Sequence, residues 1–478
     1  MKSWETIARR LLQFRNADSN NYELLPVANE DDRRFRAARP TSPSSSPTRS
    51  IACTMVWNTP SYNNIREYEK KLPQHNKKLP SPEGENGMYL RFPEHLWGHG
   101  LNNVLQEHIL MAHLAHLSKR SFVFEEYTWS KSPLPYTIYD FALRPSRIPM
   151  NAFISGPSVG GPIAPPRAVS ASYYDSICPS ERRVYIDSAT APDTLDGQEL
   201  MNWWVDLLDN SDQTRNASCV EIGNSPPVFS WTLFSSEKLL TLWDSLKESP
   251  AVKEFAWSPL VTSAVARNLP LLTSAPPSSV STARSDVIRG LVAIHLRRGD
   301  YRRHCPRLAE WNAVYQAYNK FPGLPDTFSP PSTEDKEADK NSDGVIDSEE
   351  KESYYLQHCW PEIDEIVEKL REVRKERPDL QRVFVLTNGW SWWVDSLREA
   401  LVENLKEEER WVDVRSSMDV QLDREQEYVN AAIDMAIAER AEVFIGNGFS
   451  SLTSNIVMLR MAKDMDPRSV RFWCSYSF

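Results

Sequence analysis

The amino-acid sequence predicts an α/β protein built from two Rossmann-like halves that face a cleft. In the first half, residues 88–92 alternate apolar and polar side chains as a strand does. A glycine-containing loop at 97–103 leads into a strongly apolar helix that ends near Leu117, and residues 121–124 form the next apolar run. A strand, a glycine turn, a helix and a second strand are typical of a βαβ unit, so this pattern predicts a parallel sheet.

The second half repeats this alternation more regularly. Residues 290–294, 383–387 and 443–446 are continuous apolar runs, as expected of parallel strands that are buried on both faces. The predicted helices occupy residues 361–376, 390–406, 425–441 and 452–463. A cleft between two such halves is the usual binding place of a nucleotide-linked ligand.

Shifts in composition give the predicted domain boundaries. A basic, Ser/Pro-rich tail covers residues 1–60 and is predicted to be disordered, because it has too little apolar material to offset the entropy of ordering. The other predicted units are an N-terminal domain at 85–267, a Pro/Ser-rich linker at 268–286, and a C-terminal domain at 287–478 with an acidic insertion at 326–352.

The composition limits the function classes. Of 478 residues, 41% are hydrophobic and 25% are charged, which is ordinary for a soluble globular protein. The formal net charge of −10 argues against a nucleic-acid partner, whose binding requires a basic surface. No run approaches the roughly 20 apolar residues of a membrane-spanning helix, and no secretory signal is visible. The basic tail nevertheless resembles the cytosolic end of a Golgi type II membrane protein, so membrane attachment would need an anchor that this sequence lacks.

Six cysteines are distributed without any C-x-x-C pair, which leaves zinc binding and thioredoxin-type chemistry without support. Their even number, in loop-like sequence, favours disulfides formed in a secretory compartment. We predict that Cys178 pairs with Cys219 and Cys305 with Cys359, because each pair brackets one irregular segment. Six buried free thiols are the alternative. A glycosylation sequon at residues 216–218 fits a lumenal surface.

An acidic segment of the insertion, residues 339–350, matches an EF-hand calcium loop at positions 1, 3, 5, 6, 8, 9 and 12. Oxygen ligands would surround the ion, and Gly344 would allow the sharp turn. The predicted ligands are Asp339, Asn341, Asp343, Asp347 and Glu350. A solvated acidic loop is the alternative interpretation.

The sharpest motif is IHLRRGD at residues 294–300, at the end of a predicted buried strand. Ligands of an open α/β sheet bind outside the carboxyl ends of its strands. Arg297 and Arg298 could there present guanidinium donors to a phosphate, with a charge that does not titrate. His295 could orient that phosphate or the arginine. The alternatives are a solvent-facing or structurally paired arginine, and a purely structural role for His295.

A second motif, FIGNGFSSLTSN at residues 444–455, predicts a strand, a glycine turn and the start of a helix. Backbone N–H groups at a helix N-terminus, assisted by the helix dipole, bind anions. The candidate ligand-binding side chains of this segment are Asn447, Ser450, Ser451 and Thr453. One serine is expected to be the N-cap. The segment therefore predicts a phosphate site.

Together these two motifs resemble the donor site of the GDP-fucose protein O-fucosyltransferases, in a divergent form. The resemblance rests on His-Leu-Arg-Arg at a strand end and on Phe-Ile-Gly-Asn-x-x-Ser-Ser-x-Thr about 150 residues later. It implies a GT-B-like fold of two Rossmann-like domains. Asp434 stands 16 positions before Ser450, where the family carries an acidic residue. Its carboxylate would accept from the guanine N1–H and amino group; an exposed helix aspartate is the alternative.

Residues 98–103, GHGLNN, are similar to the family's glycine–asparagine loop in the first domain. Small residues would let the backbone approach the sugar, and Gly100, Asn102 and Asn103 are the candidate donor contacts. His99 stands where some members place a glutamate base, and an imidazole could serve as a base near neutral pH. If His99 is a plain loop residue instead, the acceptor hydroxyl would need no dedicated base.

The resemblance extends over about residues 88–463 and implies an inverting glycosyltransferase that moves fucose from GDP-fucose to a hydroxyl of a protein or glycan. The C-terminal domain would hold the GDP-sugar and the N-terminal domain the acceptor. Arg297 would stabilise the charge that develops on the departing GDP, and His99 is the second catalytic candidate. No cofactor is required, because arginine supplies the positive charge; calcium is an option only for the insertion. The implied location is the lumen of the Golgi or the endoplasmic reticulum.

Three alternative functions stay open at this stage. The first is a non-catalytic protein of the same fold that binds a nucleotide-sugar or a carbohydrate, which the altered glycine–asparagine loop favours. The second is a transferase for another GDP-sugar, since phosphate and guanine contacts do not select fucose. The third is a calcium-regulated scaffold built around the acidic insertion.

Overall fold

The fold is described from a computed structural model that covers residues 62–93, 99–139, 142–223, 226–273, 287–331 and 348–473. The α-helices are α1 (Asn63–Lys70), α2 (Leu101–Leu117), α3 (Met150–Phe153), α4 (Ala171–Ile177), α5 (Gly197–Asn210), α6 (Trp231–Phe234), α7 (Trp243–Glu248), α8 (Pro250–Lys253), α9 (Pro259–Leu272), α10 (Tyr301–Glu310), α11 (Ser348–Cys359), α12 (Ile363–Glu376), α13 (Ser391–Val402), α14 (Asn430–Arg440) and α15 (Ser451–Ala462). The strands are β1 (Tyr89–Arg91), β2 (Ser121–Phe124), β3 (Tyr127–Thr128), β4 (Tyr136–Tyr139), β5 (Ala142–Pro145), β6 (Arg147–Ile148), β7 (Ile154–Ser155), β8 (Val169–Ser170), β9 (Arg183–Ile186), β10 (Cys219–Ile222), β11 (Ala256–Trp257), β12 (Ile288–Leu296), β13 (Arg382–Thr387), β14 (Asp413–Ser416), β15 (Ala441–Gly446) and β16 (Val470–Phe472).

The first sheet has the strand order β8-β2-β1-β10-β9, and all neighbouring strands are parallel. Helix α2 connects β1 to β2 and so forms the predicted βαβ unit. Apolar residues occur on all sides of α2, and the helix is buried along nearly its whole length. A helix with this pattern belongs between layers of the structure rather than at the surface.

The second sheet has the strand order β14-β13-β12-β15-β16, again with parallel neighbours. Successive residues of the central strand β12 point to opposite faces. Val292 and Ile294 pack in a core with α12 and α13, whereas Ala293 belongs to a core that includes α14 and α15. Burial on both faces is the physical reason for the continuous apolar runs seen in the sequence.

The two sheets share one continuous hydrophobic core. Helices α2 and α9 of the first half pack against α15 and α14, respectively, of the second half. At this contact the Trp257 indole N–H donates to one oxygen of Glu439 at 2.5 Å, and Lys463 pairs with the other oxygen. The predicted α/β fold with two Rossmann-like sheets is therefore confirmed.

The structure changes one detail of the predicted linker at 268–286. Helix α9 continues to Leu272, so the first residues of that segment are helical, and residues 274–286 lie outside the described residues. Pro270 lies inside the last turn of this helix and does not end it, and the neighbouring Leu269 and Leu272 are buried.

The candidate calcium loop is mostly outside the described residues, as is the tail at 1–60. Asp339, Asn341, Asp343 and Asp347 have no described position, and Glu350 lies in the first turn of α11. Within the described ranges, no group of three or more His, Cys, Asp or Glu side chains is arranged to hold a metal ion. Calcium binding in the insertion therefore stays a prediction.

Asp326, the first residue of the predicted insertion, is part of the folded core. Its carboxylate accepts from Arg471 Nε at 3.0 Å and from Phe472 N at 2.8 Å, and it pairs with Lys369 at 3.1 Å. These positive partners lower the pKa of Asp326 despite its burial. The acidic composition of the segment suggested only solvated side chains, whereas its first residue is a buried carboxylate with a structural role.

Both predicted disulfides are present. Cys178, directly after α4, bonds to Cys219 in β10, and Cys305 in α10 bonds to Cys359 at the end of α11. All four cysteines are buried. In the part of the chain that the structure describes, no helix combines the length and the apolar character that crossing a membrane requires.

Candidate functional site

The candidate site lies at the edge of the second sheet where β12, β13 and β15 end. These strands end at Leu296, Thr387 and Gly446, respectively. Because neighbouring parallel strands end at the same edge, the segments that follow them lie side by side. This is the edge at which α/β sheets bind ligands.

Arg297 is the solvent-accessible arginine of the first motif. Its side chain is 40% exposed, and Nε and Nη2 donate to the two oxygens of Asp300 at 3.0 and 2.8 Å. The guanidinium carbon lies 4.7 Å from the centroid of the Tyr301 ring. Although burial opposes ionisation, Tyr301 and Asp300 raise the pKa of Arg297 overall. The two-point contact orients a permanently charged side chain at the sheet edge.

Arg298 does not face the site. Its guanidinium is buried, donates to the Pro361 carbonyl oxygen, and lies over the indole rings of Trp360 and Trp393 at 4.7 and 4.1 Å. Its backbone N–H donates to Asn388 Oδ1 at 2.9 Å. Burial lowers the pKa of Arg298 to about 10, which still leaves it charged. The direct phosphate contact predicted for Arg298 does not fit this enclosure, and the side chain supports the loop instead.

His295 and Thr453 join the two motifs beneath the surface. His295 Nδ1 lies 2.9 Å from Thr453 Oγ1, and the Asn447 backbone N–H donates to the same oxygen at 3.1 Å. Burial lowers the pKa of His295 to about 3, so the imidazole is neutral at physiological pH. All three side chains are buried, and they shape the turn that follows β15.

The N-terminus of α15 forms the other side of the site. Ser450 is the N-cap, and its Oγ accepts from Leu452 N at 3.3 Å, as expected for one of the serines. Ser451 is partly exposed at the first helical position. Tyr301 is buried and lies close to both Ser450 and Arg297, so it stands between the arginine and the helix terminus. The helix dipole and the N–H groups of this turn favour an anion here.

Asp434 lies in α14 and is partly buried, unlike the exposed helix aspartate that was its alternative. The Ser417 hydroxyl donates to Asp434 Oδ2 at 2.7 Å and accepts from the Thr387 backbone N–H at 3.2 Å. Burial raises the pKa of Asp434 to about 7. This carboxyl therefore lies beside the ends of β13 and β14, two strands away from β15.

The glycine–asparagine loop of the first half reaches the second motif. Gly100 is the exposed N-cap of α2, with no neighbouring atom within 4 Å of the place where a Cβ would be. Asn455 Nδ2 donates to both the backbone and the side-chain oxygen of Asn102 at 3.0 Å. Asn103 is partly buried, and His99 is exposed, with its backbone oxygen accepting from the Tyr127 hydroxyl at 3.0 Å. The starts of α2 and α15 are thus in direct contact.

Sequence reasoning missed several residues of this arrangement. Asp300 and Tyr301 orient Arg297, Asn388 binds the loop backbone, Ser417 binds Asp434, and Asn455 binds Asn102. Asp300 closes the first motif, and its spacing from Arg297 was a usable signal for an ion pair. Asn388 follows a strand adjacent to β12, so strand order would have indicated it.

A protein-family model matches the part of the chain that carries both motifs. Residues 248–463 match the sequence model of the family described as GDP-fucose protein O-fucosyltransferase. No protein of the curated collections matches the sequence significantly.

Solved structures that match this chain include fucosyltransferases. POFUT1 in complex with GDP-fucose is 16% identical, with a TM-score of 0.48, and the match covers 81% of this chain and 99% of that one. NodZ α-1,6-fucosyltransferase soaked with GDP-fucose is 11% identical, with a TM-score of 0.36 and coverage of 78% and 92%. A mutant of FUT1 from Arabidopsis thaliana in complex with GDP is 10% identical, with a TM-score of 0.35 and coverage of 83% and 73%.

The two parallel sheets, with the candidate site at the edge of the second one, define an α/β protein with two Rossmann-like halves. Residues 248–463, which include this site, match the O-fucosyltransferase family model. The resemblance predicted from the two motifs is confirmed, since both motifs lie inside the matched region.

Proposed function

We propose that the protein is an inverting glycosyltransferase that moves fucose from GDP-fucose to a hydroxyl of a protein or glycan acceptor. The observation that carries the proposal is the position of Arg297 and the N-terminus of α15 on either side of Tyr301 at the sheet edge, since both elements are suited to bind an anion. The family match supports the choice of donor, because its description names GDP-fucose.

Arg297 is the group proposed to stabilise the departing GDP. As the bond to the sugar breaks, negative charge grows on the β-phosphate, and a guanidinium already oriented by Asp300 needs no reorganisation to meet it. Ser451 and the N–H groups of the first turn of α15 add neutral donors. His295 is neutral and hydrogen-bonded to Thr453, so it positions the turn after β15 and adds no charge to the site.

Asp434 is the proposed guanine-binding residue. One oxygen accepts from the Ser417 hydroxyl, which orients the carboxylate beside the end of β13. In its ionised form the carboxylate can accept from the guanine N1–H and amino group together, and uracil does not present that pair of donors. We therefore expect GDP to bind more tightly than UDP.

The glycine–asparagine loop is the proposed contact with the sugar. Asn455 holds Asn102 at the start of α2, where Gly100 leaves open space. His99, exposed beside this opening, is the proposed general base for the acceptor hydroxyl. The two buried disulfides support a lumenal, oxidising compartment as the place of action.

Calorimetric titration of GDP, GDP-fucose, GDP-mannose and UDP into the wild type and Arg297→Ala tests the donor site. We expect guanine-selective binding in the wild type and at least a tenfold weaker affinity in the variant, since a phosphate contact by a charged donor is lost. Absence of guanine-selective binding in the wild type would overturn the proposal.

A second assay separates a transferase from a non-catalytic binder. Wild-type protein that binds GDP-fucose should release GDP slowly with water and faster with the correct acceptor, and His99→Ala should reduce the acceptor-dependent rate without changing GDP affinity. Tight GDP-fucose binding with no GDP release under any condition would favour the binding protein. Faster GDP release from GDP-mannose than from GDP-fucose would change the assigned sugar.

A further inference from the structure

Residues 359–361 lie behind the candidate site and contact both of its loops. The Cys359 carbonyl oxygen accepts from Asn447 Nδ2 at 2.8 Å, which holds the turn after β15. The Pro361 carbonyl oxygen accepts from the Arg298 guanidinium, which holds the loop after β12. Between them, the Trp360 ring centroid lies 4.7 Å from that guanidinium. One short segment therefore contacts the two motifs on which donor binding is proposed to depend.

A disulfide ties this segment to the first motif. Cys359 is the last residue of α11, and its partner Cys305 lies in α10, the helix that begins at Tyr301 directly after the Arg297 loop. The two Cα atoms are 5.9 Å apart. The disulfide joins α10 to residue 359, and the Arg298 side chain, from the loop before α10, hydrogen-bonds to residue 361. Residues 359–361 are therefore fixed at two points to the segment 298–305.

These contacts are costly to lose because they are buried. The Arg298 cation and the Asn447 amide have exchanged water for particular carbonyl oxygens, and a buried donor without its acceptor is unfavourable. A shift of residues 359–361 would therefore move Arg298 and Asn447 with it. Arg297 and Ser450 lie within a few residues of these two anchors and would lose their relative position.

We propose that the Cys305–Cys359 disulfide is a positioning element of the donor site, which holds the arginine loop and the turn before α15 at the spacing that a nucleotide diphosphate requires. Cys305, Cys359 and Trp360 are positioning residues, since they act through Arg298 and Asn447. This inference rests on the proposed donor site and adds a covalent support for it.

The second disulfide of the chain provides a matched control. Cys178–Cys219 is equally buried and has the same Cα–Cα distance of 5.9 Å, but it joins the end of α4 to β10 in the first half of the chain. We would compare C305A/C359A with C178A/C219A by thermal unfolding and by GDP titration. Both variants are expected to unfold at a lower temperature, and only C305A/C359A is expected to bind GDP about tenfold more weakly. Unchanged GDP affinity in C305A/C359A, or an equal loss in both variants, would overturn the proposal.

A second pair of variants keeps both cysteines. Trp360→Ala removes the ring from Arg298 and should weaken GDP binding, whereas Trp360→Phe retains an aromatic face and should restore most of the affinity. If C305A/C359A does not fold, these two variants still test whether residues 359–361 position the donor site. Equal GDP affinity in Trp360→Ala and the wild type would count against the positioning role.

Hydrogen–deuterium exchange without ligand separates this inference from the proposed function. Amides of residues 297–300 and 446–450 should exchange faster in C305A/C359A, or in Trp360→Ala, than in C178A/C219A. If the wild type binds no GDP, the proposed function fails, yet faster exchange at both loops would still support the disulfide as their positioning element. Unchanged exchange at both loops would overturn it.

Discussion

Arg297 and Arg298 are neighbours in the chain, but they have opposite environments. Consecutive side chains at the end of a strand point to opposite sides. Arg297 pairs with Asp300 near the surface, whereas Arg298 is enclosed by Trp360 and Trp393. The motif thus supplies one arginine for a ligand and one for the support of its own loop.

This difference predicts separate consequences for stability. Arg298→Ala should lower the free energy of unfolding by about 2–4 kcal/mol, because it leaves the buried Pro361 oxygen without its donor and removes two cation–π contacts. Arg297→Ala should cost less than about 1 kcal/mol, since its ion pair is exposed to solvent. Urea unfolding of both variants measures this, and equal losses would contradict the assigned environments.

Asp434 predicts a pH dependence of stability. Burial raises the pKa of this carboxyl to about 7 in the folded protein, against an ordinary value of 3.8. The folded state therefore holds a proton that the unfolded state releases between about pH 4 and 7, so this residue's contribution to stability falls as the pH rises through that window and is constant above it.

Asp434→Asn removes the ionisable group and should stabilise the protein at pH 8 by about 1–2 kcal/mol more than at pH 5. Asp193→Asn, at an exposed position, is the control and should show no such difference. Urea midpoints at the two pH values give the comparison. A benefit at pH 5 as large as at pH 8 would be inconsistent with a raised pKa.

The turn between β15 and α15 requires small residues for packing. A Cβ at Gly446 would lie 2.2 Å from Thr453 Cγ2, and one at Gly448 would lie 2.4 Å from the Tyr315 ring. Both distances are far shorter than a carbon–carbon contact allows. The glycines therefore let Thr453 fold back onto His295 and bring the helix N-terminus to the sheet edge.

The N-cap of α15 has a local and a functional consequence. Ser450→Ala should cost about 1 kcal/mol of stability through the lost cap and should also weaken GDP binding several-fold, because the first turn of the proposed phosphate site loosens. Ser258 caps α9 in the same way, so Ser258→Ala should cost at least as much stability without changing GDP affinity. Chemical denaturation measures the loss of stability, and calorimetry measures the GDP affinity. Equal GDP affinity in both variants would show that the N-terminus of α15 does not bind the phosphate.

At the scale of the whole molecule, the two sheets are joined by buried contacts. The shared core runs from α2 to α15 and from α9 to α14. Hydrogen bonds cross the same boundary, from Trp257 to Glu439 and from Asn455 to Asn102. The halves are therefore packed as one folded unit, whatever boundaries the composition predicts for them.

This continuity predicts one cooperative unfolding transition. Differential scanning calorimetry should give a single peak whose calorimetric and van't Hoff enthalpies agree, because neither half can unfold without exposing the shared core. Saturating GDP should move that whole peak upward, as expected for a ligand that binds only the folded state. Two peaks, with GDP shifting one of them, would show that the halves unfold independently.

Much of this architecture was predictable from sequence. Continuous apolar runs report burial on both faces of a strand, so β12, β13 and β15 could be placed before any coordinates were known. The two motifs were placed at strand ends because their glycines and hydroxyl residues follow those runs directly. The disulfide pairs followed from the irregular segments that they enclose.

The sequence by itself therefore determined the α/β class, the strands that carry the site and the family resemblance, because these depend on patterns within short stretches of chain. Only the tertiary structure decided that Arg298 is enclosed, that Asn102 meets Asn455 and that residues 359–361 support both loops. Those contacts join residues 63 to 353 positions apart. A side chain's exposure and partners depend on the layers packed around it, and local sequence does not contain that information.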